Sequence, residues 1–298
     1  MNTTLQTEPA QDIRPVELPV GIPALAWFAG LLILCYIPIL YSLVNHWMID
    51  EDMGHGFFVP VIAGYIAWQK RAELAAAPLK SNWFGLVILA MAAAQSIVGT
   101  LGAELFVSRT AFLFSVIGTV LYMGGMPAIK VLSFPLFLLF FMIPIPAIIY
   151  NQITFPLQLL ASRVAEFALS AIGIPVLRDG NVLELPSQKL SVVEACSGIR
   201  SLLSLSFLSM VYGFFFDNKA WMKWWLLIAT VPIAITANAC RVTLTGILSE
   251  INTEYASGVY HSASGWVVFM VALVFLAIVH SLTNRAIAWK SKGAQGNV

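Results

Sequence analysis

Cys196, Arg241 and His261 are the residues of this chain whose types best suit a reaction. A cysteine attacks a carbonyl as its thiolate, which needs a neighbouring base or a lowered pKa. A histidine takes up that proton and returns it to a leaving amine. An arginine stabilises the oxyanion that forms on the attacked carbonyl, most strongly where water is excluded. Together the three types suit acyl transfer. A helix is expected to begin at Cys196-Ser197-Gly198, and a helix N-terminus favours an anion. Arg200 follows four residues later on the same helical face, where it would lower the thiol pKa further or hold a substrate carboxylate. Each type also has a bland role, as a small buried hydrophobe, a snorkelling cation or a capped ring, so the question is whether the three meet.

The elements that must position them are membrane helices. The chain has 298 residues, 59% hydrophobic and only 10% charged, whereas a soluble domain needs about 25% charged residues to cover its surface. The bilayer is therefore the expected solvent. A net charge of +1 points to no nucleic acid, and three cysteines make no disulfide framework. A spanning helix needs about 20 mostly apolar residues. Eight candidates are expected, at roughly 24–44, 55–69, 84–101, 108–126, 131–150, 197–216, 222–239 and 264–282. Pro144 and Pro146 end the fifth, because proline lacks a backbone donor.

Lysine and arginine orient these spans, since loops that stay in the cytoplasm hold the excess. With the polar tail 1–23 inside, ten of the 16 basic residues fall in inside segments and five outside, with Arg200 inside a span. The tail lacks the basic start and cleavage site of a signal peptide. Both termini are expected in the cytoplasm, and the map puts Cys196, Arg241 and His261 on one outer face.

Residues 151–195 differ in character. Ile153–Ile172 carries Arg163 and Glu166 in an apolar setting, which suits a helix lying on the outer interface. Around Asp179-Gly180 apolar and polar residues alternate, the signal of a small extracytoplasmic β-hairpin leading into Cys196. The fold class expected is an all-α polytopic membrane protein, one membrane-embedded domain over 1–298, with that interfacial helix and hairpin. Cys35 and Cys240 are read as packing residues, His280 as structural, and Trp221, Trp224 and Trp225 as an interfacial belt. His46 and His55 lie near Asp50, Glu51 and Asp52 at a spacing with no recognised metal pattern, so no metal or cofactor is expected.

The chain resembles the exosortases, multi-pass membrane cysteine proteases or transpeptidases that process proteins with PEP-CTERM tails. The resemblance rests on Glu194-Ala195-Cys196-Ser197-Gly198-Ile199-Arg200-Ser201, on Asn238-Ala239-Cys240-Arg241-Val242, and on His261 with Gly265. Weaker matches are His55-Gly56 with Pro60, and Pro144-Ile145-Pro146. It implies Cys196, Arg241 and His261 as catalytic residues, with Glu194, Arg200 and Asn238 as substrate-binding candidates. The implied partners are membrane lipids and proteins with a C-terminal tail, made of a Pro-Glu-Pro motif, one hydrophobic helix and a basic end. It also implies a Gram-negative inner membrane, a periplasmic active site and a link to exopolysaccharide. Two other functions fit the residues: a non-enzymatic component of exopolysaccharide transport, and a membrane acyltransferase using the same cysteine on lipid.

Overall fold

Apolar side chains cover the outside of this protein as well as its core, which a hydrocarbon solvent permits and water does not, and a smaller set of polar side chains is buried between helices. A computed structural model of the chain describes residues 22–192, 199–256 and 258–295. Cys196 and Glu194 lie outside the described residues, as do the side chains of Arg200 and His261. The helices are α1 (Ile22–Ile49), α2 (Phe58–Gln69), α3 (Arg71–Ala76), α4 (Phe84–Leu101), α5 (Leu105–Leu138), α6 (Ala147–Ala171), α7 (Ile199–Phe216), α8 (Ala220–Ile251) and α9 (Gly258–Gln295). Three strands, β1 (Leu177–Asp179), β2 (Val182–Glu184) and β3 (Lys189–Ser191), lie between α6 and α7.

Among the described residues five helices are long and apolar enough to cross a membrane, where eight spans were expected. The difference has identifiable causes. α5 runs through the fourth expected span and into the fifth as far as Leu138, kinked near the end of the fourth at Gly125, whose φ of 66° is non-helical and open to glycine without strain. A Cβ there would also collide with the Lys80 carbonyl. α2 has 12 residues and the apolar part of α7 runs only from Ser201 to Phe216, both below spanning length. α4 occupies Phe84–Leu101, the range expected of the third span.

The chain divides into two compact units. The first holds, of the described residues, Ile22–Leu43 and Pro60–Phe140. In it α4 and α5 pack as a hairpin so tight that Gly85 lies against the Tyr122 backbone with no room for a Cβ. Polar groups are spent between helices: Gln95 Nε2 donates to the Val107 carbonyl at 3.0 Å and to Thr110 Oγ1 at 2.8 Å, and Tyr36 and Ser115 share a 2.8 Å bond. The buried Arg109 donates from Nη2 to Ser42 Oγ at 3.3 Å.

The second unit holds Val44–Val59 and the described residues from Phe141 to Gln295. The Trp47 indole N–H donates to the Met142 carbonyl at 2.9 Å, and the Tyr150 hydroxyl to Asp52 Oδ2 at 2.5 Å. α6 shows this burial of polar side chains most clearly, beside the small and apolar Ala161, Ala165 and Leu169. Thr154, Gln158 and Ser162, each one turn apart, are buried, while Ile153, Leu160, Val164 and Phe167 are exposed. The inward polar row holds the sheet: Asn181 Nδ2 donates to Gln158 Oε1 at 3.1 Å, Ser162 Oγ to the Gly180 carbonyl at 2.9 Å, and Arg178 Nε to Glu166 Oε2 at 2.7 Å.

In place of a lone hairpin the chain forms a three-stranded antiparallel sheet of order β1-β2-β3, with Asp179 opposite Val182 and Leu183 opposite Leu190. β3 joins it because Leu190 and Val192 share the buried face with Leu183 and Leu185. α7, α8 and α9 form a three-helix bundle around Leu205, Ala234 and Ala272, with a second layer of Met222, Leu226 and Leu276.

Candidate functional site

The bundle's connectivity decides which residues can meet. α7 starts at Ile199, the short connection Asp217–Lys219 returns the chain along α8, and the turn Thr253–Ala256 sends it back along α9. Leu202, Ala237 and Phe269 lie at one end of the core, and Tyr212, Met222 and Val279 at the other. The start of α7, the middle of α8 and the first turns of α9 therefore share one end. Those are the elements next to or containing Cys196, Arg241 and His261.

Arg241 sits within α8, not at its exit. The helix runs ten residues further, to Ile251, because Val242, Thr245 and Ser249 keep a buried stripe going with no proline or glycine pair to stop it. The Arg241 guanidinium lies on α9 at Gly265: a Cβ there would be 2.9 Å from its Cζ and Nη2. Gly265 is one helical turn after His261, so it shares a face of α9 with that residue's backbone position. The arginine's head and the histidine's turn are thus neighbours on one helix surface. Asn238, buried one turn before Arg241, lines a small crevice with Leu157, Leu202, Val231, Ala234 and Ile235.

The chain leading to Cys196 arrives at the same level. Val192 is fully buried in a cluster with Leu183, Leu190, Ala239 and Val242, the last two flanking Arg241 on α8. Cys196 follows Val192 by four residues and precedes Ile199 by three. Cys240 faces outward as a free, exposed thiol, two residues round the helix from the buried Asn238 and Val242.

A family model described as transmembrane exosortase (Exosortase_EpsH) matches residues 47–278. The chain belongs to the transmembrane exosortase family. The matched range takes in all of α2 to α8 and the turns of α9 that carry His261 and Gly265. Exosortases are multi-pass membrane proteins with protein substrates, generally of peptidase or transpeptidase type, and the apolar helices of this member agree with that setting. No curated protein and no solved structure matches this exosortase.

Several contributors to this end of the exosortase bundle carry little sequence signal. Gly265 is one glycine among 20, and only the packing makes it the seat of Arg241. His55 reaches α7: Ser204 Oγ lies 3.3 Å from its Nδ1, and its Nε2 lies 3.2 Å from the Phe141 carbonyl. A carbonyl only accepts, so Nε2 carries a proton and donates it to Phe141. Ser204 is one turn beyond Arg200 on α7, so this contact braces the helix that follows the cysteine motif.

His280 lies about 28 Å along α9 from His261, at 1.5 Å per residue. It belongs to a separate latch, where its Nε2 is 3.1 Å from Asp217 Oδ2, its Nδ1 is 3.2 Å from the Tyr212 hydroxyl, and Asn284 Nδ2 donates to Asp217 at 3.0 Å. Among the described residues no cluster of histidine, cysteine and carboxylate side chains is arranged to hold a metal ion.

Proposed function

We propose that this exosortase is a cysteine peptidase or transpeptidase that cuts C-terminal PEP-CTERM tails at the outer face of the inner membrane, with both its termini in the cytoplasm. The observation that carries the reading is the seat of Arg241 on Gly265, one turn from His261, at the bundle end where the chain from Val192 enters the cysteine motif.

The Cys196 thiol gives its proton to His261, and the thiolate attacks the carbonyl carbon of a peptide bond near the Pro-Glu-Pro motif. The carbonyl oxygen becomes an oxyanion, which the Arg241 guanidinium stabilises in a site sheltered from water. The intermediate collapses, the C–N bond breaks, and the imidazolium protonates the departing amine of the anchor helix. A thioester on Cys196 remains and passes its acyl group to water or an acceptor nucleophile, which regenerates the thiol. Glu194, Arg200 and Asn238 hold the substrate beside these groups. A tail with an apolar helix and a basic end would enter from the bilayer, its basic end kept inside by the rule that orients the enzyme.

The test is co-expression with a tail-bearing protein and comparison of wild type with Cys196→Ala by intact mass. The expected result is loss of the tail with wild type and none with Cys196→Ala, at equal membrane levels. Normal processing by Cys196→Ala would overturn the reading. A fatty acyl group on Cys196 in place of a peptide would favour lipid acylation, and solute flux that survives loss of all three residues would favour a transport component.

A further inference from the structure

Among the described residues β3 is an edge strand with no partner on its outer side, and in sequence it precedes the cysteine motif. In the β2–β3 ladder the Leu185 N–H donates to the Gln188 carbonyl and the Val192 N–H to the Asn181 carbonyl, each at 3.0 Å. Pairing alternates along an antiparallel ladder, so Gln188, Leu190 and Val192 point their backbone groups at β2, and Lys189 and Ser191 point theirs away. Among the described residues nothing pairs with those outward groups. β1, the other edge, is tied to α6 through Arg178 and Glu166 and through Gly180 and Ser162. β3 is anchored on one face, by Leu190 and Val192 against Ala239 and Val242 beside Arg241, and at the turn before it, where Ser187 N–H and Oγ donate to Glu250 of α8 at 3.1 and 2.6 Å; neither anchor takes the outward groups of Lys189 and Ser191.

We propose that the outer edge of β3 receives the substrate's motif as an added strand, setting it in register for attack by Cys196, five residues past Ser191. This rests on the tail-processing reading above and names how that site would hold its peptide. Proline is normally excluded from sheet pairing because it has no N–H, yet in an added strand only every second residue turns its N–H to the edge. A Pro-Glu-Pro segment meets that condition: the glutamate pairs and both prolines face away. Residues directly opposite share a face, so a glutamate opposite Lys189 or Ser191 puts its carboxylate on the side of the Lys189 ammonium. That ammonium is exposed and, among the described residues, ion-paired across the strand to Glu184, a surface pair that it can leave for a second carboxylate. A lysine also guards a short edge against unwanted pairing; here the same charge would select an acidic strand over others.

Binding is measured with the full chain carrying Cys196→Ala in lipid nanodiscs, using a synthetic peptide that spans Pro-Glu-Pro and a twin whose glutamate nitrogen is methylated. Methylation removes one edge hydrogen bond and keeps every side chain, so Kd should rise about three- to tenfold. On the protein side, Ser191→Pro removes an outward N–H without touching the β2 ladder. It should raise KM for tail cleavage by a similar factor with kcat little changed. Lys189→Met should weaken binding at low salt and much less at 0.5 M salt, since exposed charges are screened there. Equal affinity for the two peptides overturns the proposal, as does failure of the unmethylated peptide to bind; the peptide pair decides the matter even if Ser191→Pro fails to fold. Wild-type protein that leaves the tail uncut would sink the processing reading alone, because the Kd comparison needs no cleavage.

Discussion

Gly265→Ala separates a catalytic role for Arg241 from a packing role. The added Cβ would stand 2.9 Å from Cζ and Nη2 and 3.4 Å from Nε of Arg241. Comfortable contacts lie at about 3.5–4.0 Å, so the guanidinium must retreat by roughly 0.6–1 Å. The retreat is cheap for the fold, because the obstructing atoms end a flexible side chain and alanine is preferred over glycine in a helix by about 0.8–1 kcal/mol. It is expensive for chemistry, since a group misplaced by about 1 Å can cost on the order of a hundredfold in rate. Gly265→Ala should therefore insert and unfold like wild type while tail cleavage falls by about 10- to 100-fold, mostly in kcat. Gly246→Ala is the matched control. Its Cβ also meets a neighbour at 2.9 Å, but the neighbour is Leu169 in the core between α6 and α8. Overpacking there should cost about 1–3 kcal/mol and lower the melting temperature, with cleavage per folded molecule kept. The assay is intact-mass kinetics on purified protein in nanodiscs, beside thermal unfolding of the same samples. Wild-type cleavage by Gly265→Ala, or a loss that only tracks melting temperature as in Gly246→Ala, would refute the assignment.

The remaining expectations are briefer. The Asp217 carboxyl is pulled down to about 2; burial would raise it, but hydrogen bonds from Asn284, the Lys219 backbone and His280, with the Lys219 charge, outweigh that. The folded state thus favours the carboxylate, and the stability this contributes is present above the unfolded value of 3.8 and lost as pH falls toward 2; melting curves for Asp217→Asn should be flatter across that window than those of wild type. His55→Ala and Ser204→Ala should each destabilise by about 1–3 kcal/mol as their partner is left unpaired, and the double variant should fall short of the sum, which a double-mutant cycle in denaturant would measure. Cys240→Ser should leave tail cleavage unchanged by intact mass, because its thiol is exposed on the far side of α8 from Asn238. A thiol reagent that cannot cross membranes should label Cys196 from the outer side in intact spheroplasts of the Cys35→Ser/Cys240→Ser double variant; labelling from the cytoplasmic side alone would invert the topology.

Local chemistry reached some of this protein unaided. Phe84–Leu101 is legible from hydropathy because it is predominantly apolar and about as long as a bilayer core is thick, and the closely spaced Pro144 and Pro146 mark the break before α6. The cysteine, arginine and histidine motifs are local strings, so the family was legible too. Tertiary structure decided what hydropathy averages away. A window sees Arg241 as the end of a span, whereas its neighbours' burial carries α8 on to Ile251. It sees α6 as mildly amphipathic, whereas the polar row of Thr154, Gln158 and Ser162 faces protein and the apolar row faces outward. Partner choice is invisible to any window: that Arg241 rests on Gly265, and that Val192 packs between Ala239 and Val242, follows only once three helices and a sheet compete for the same volume. In a lipid solvent hydrophobicity says that a helix will insert. Close contacts and polar pairing between helices say where it will stop, turn and bring a reactive group to bear.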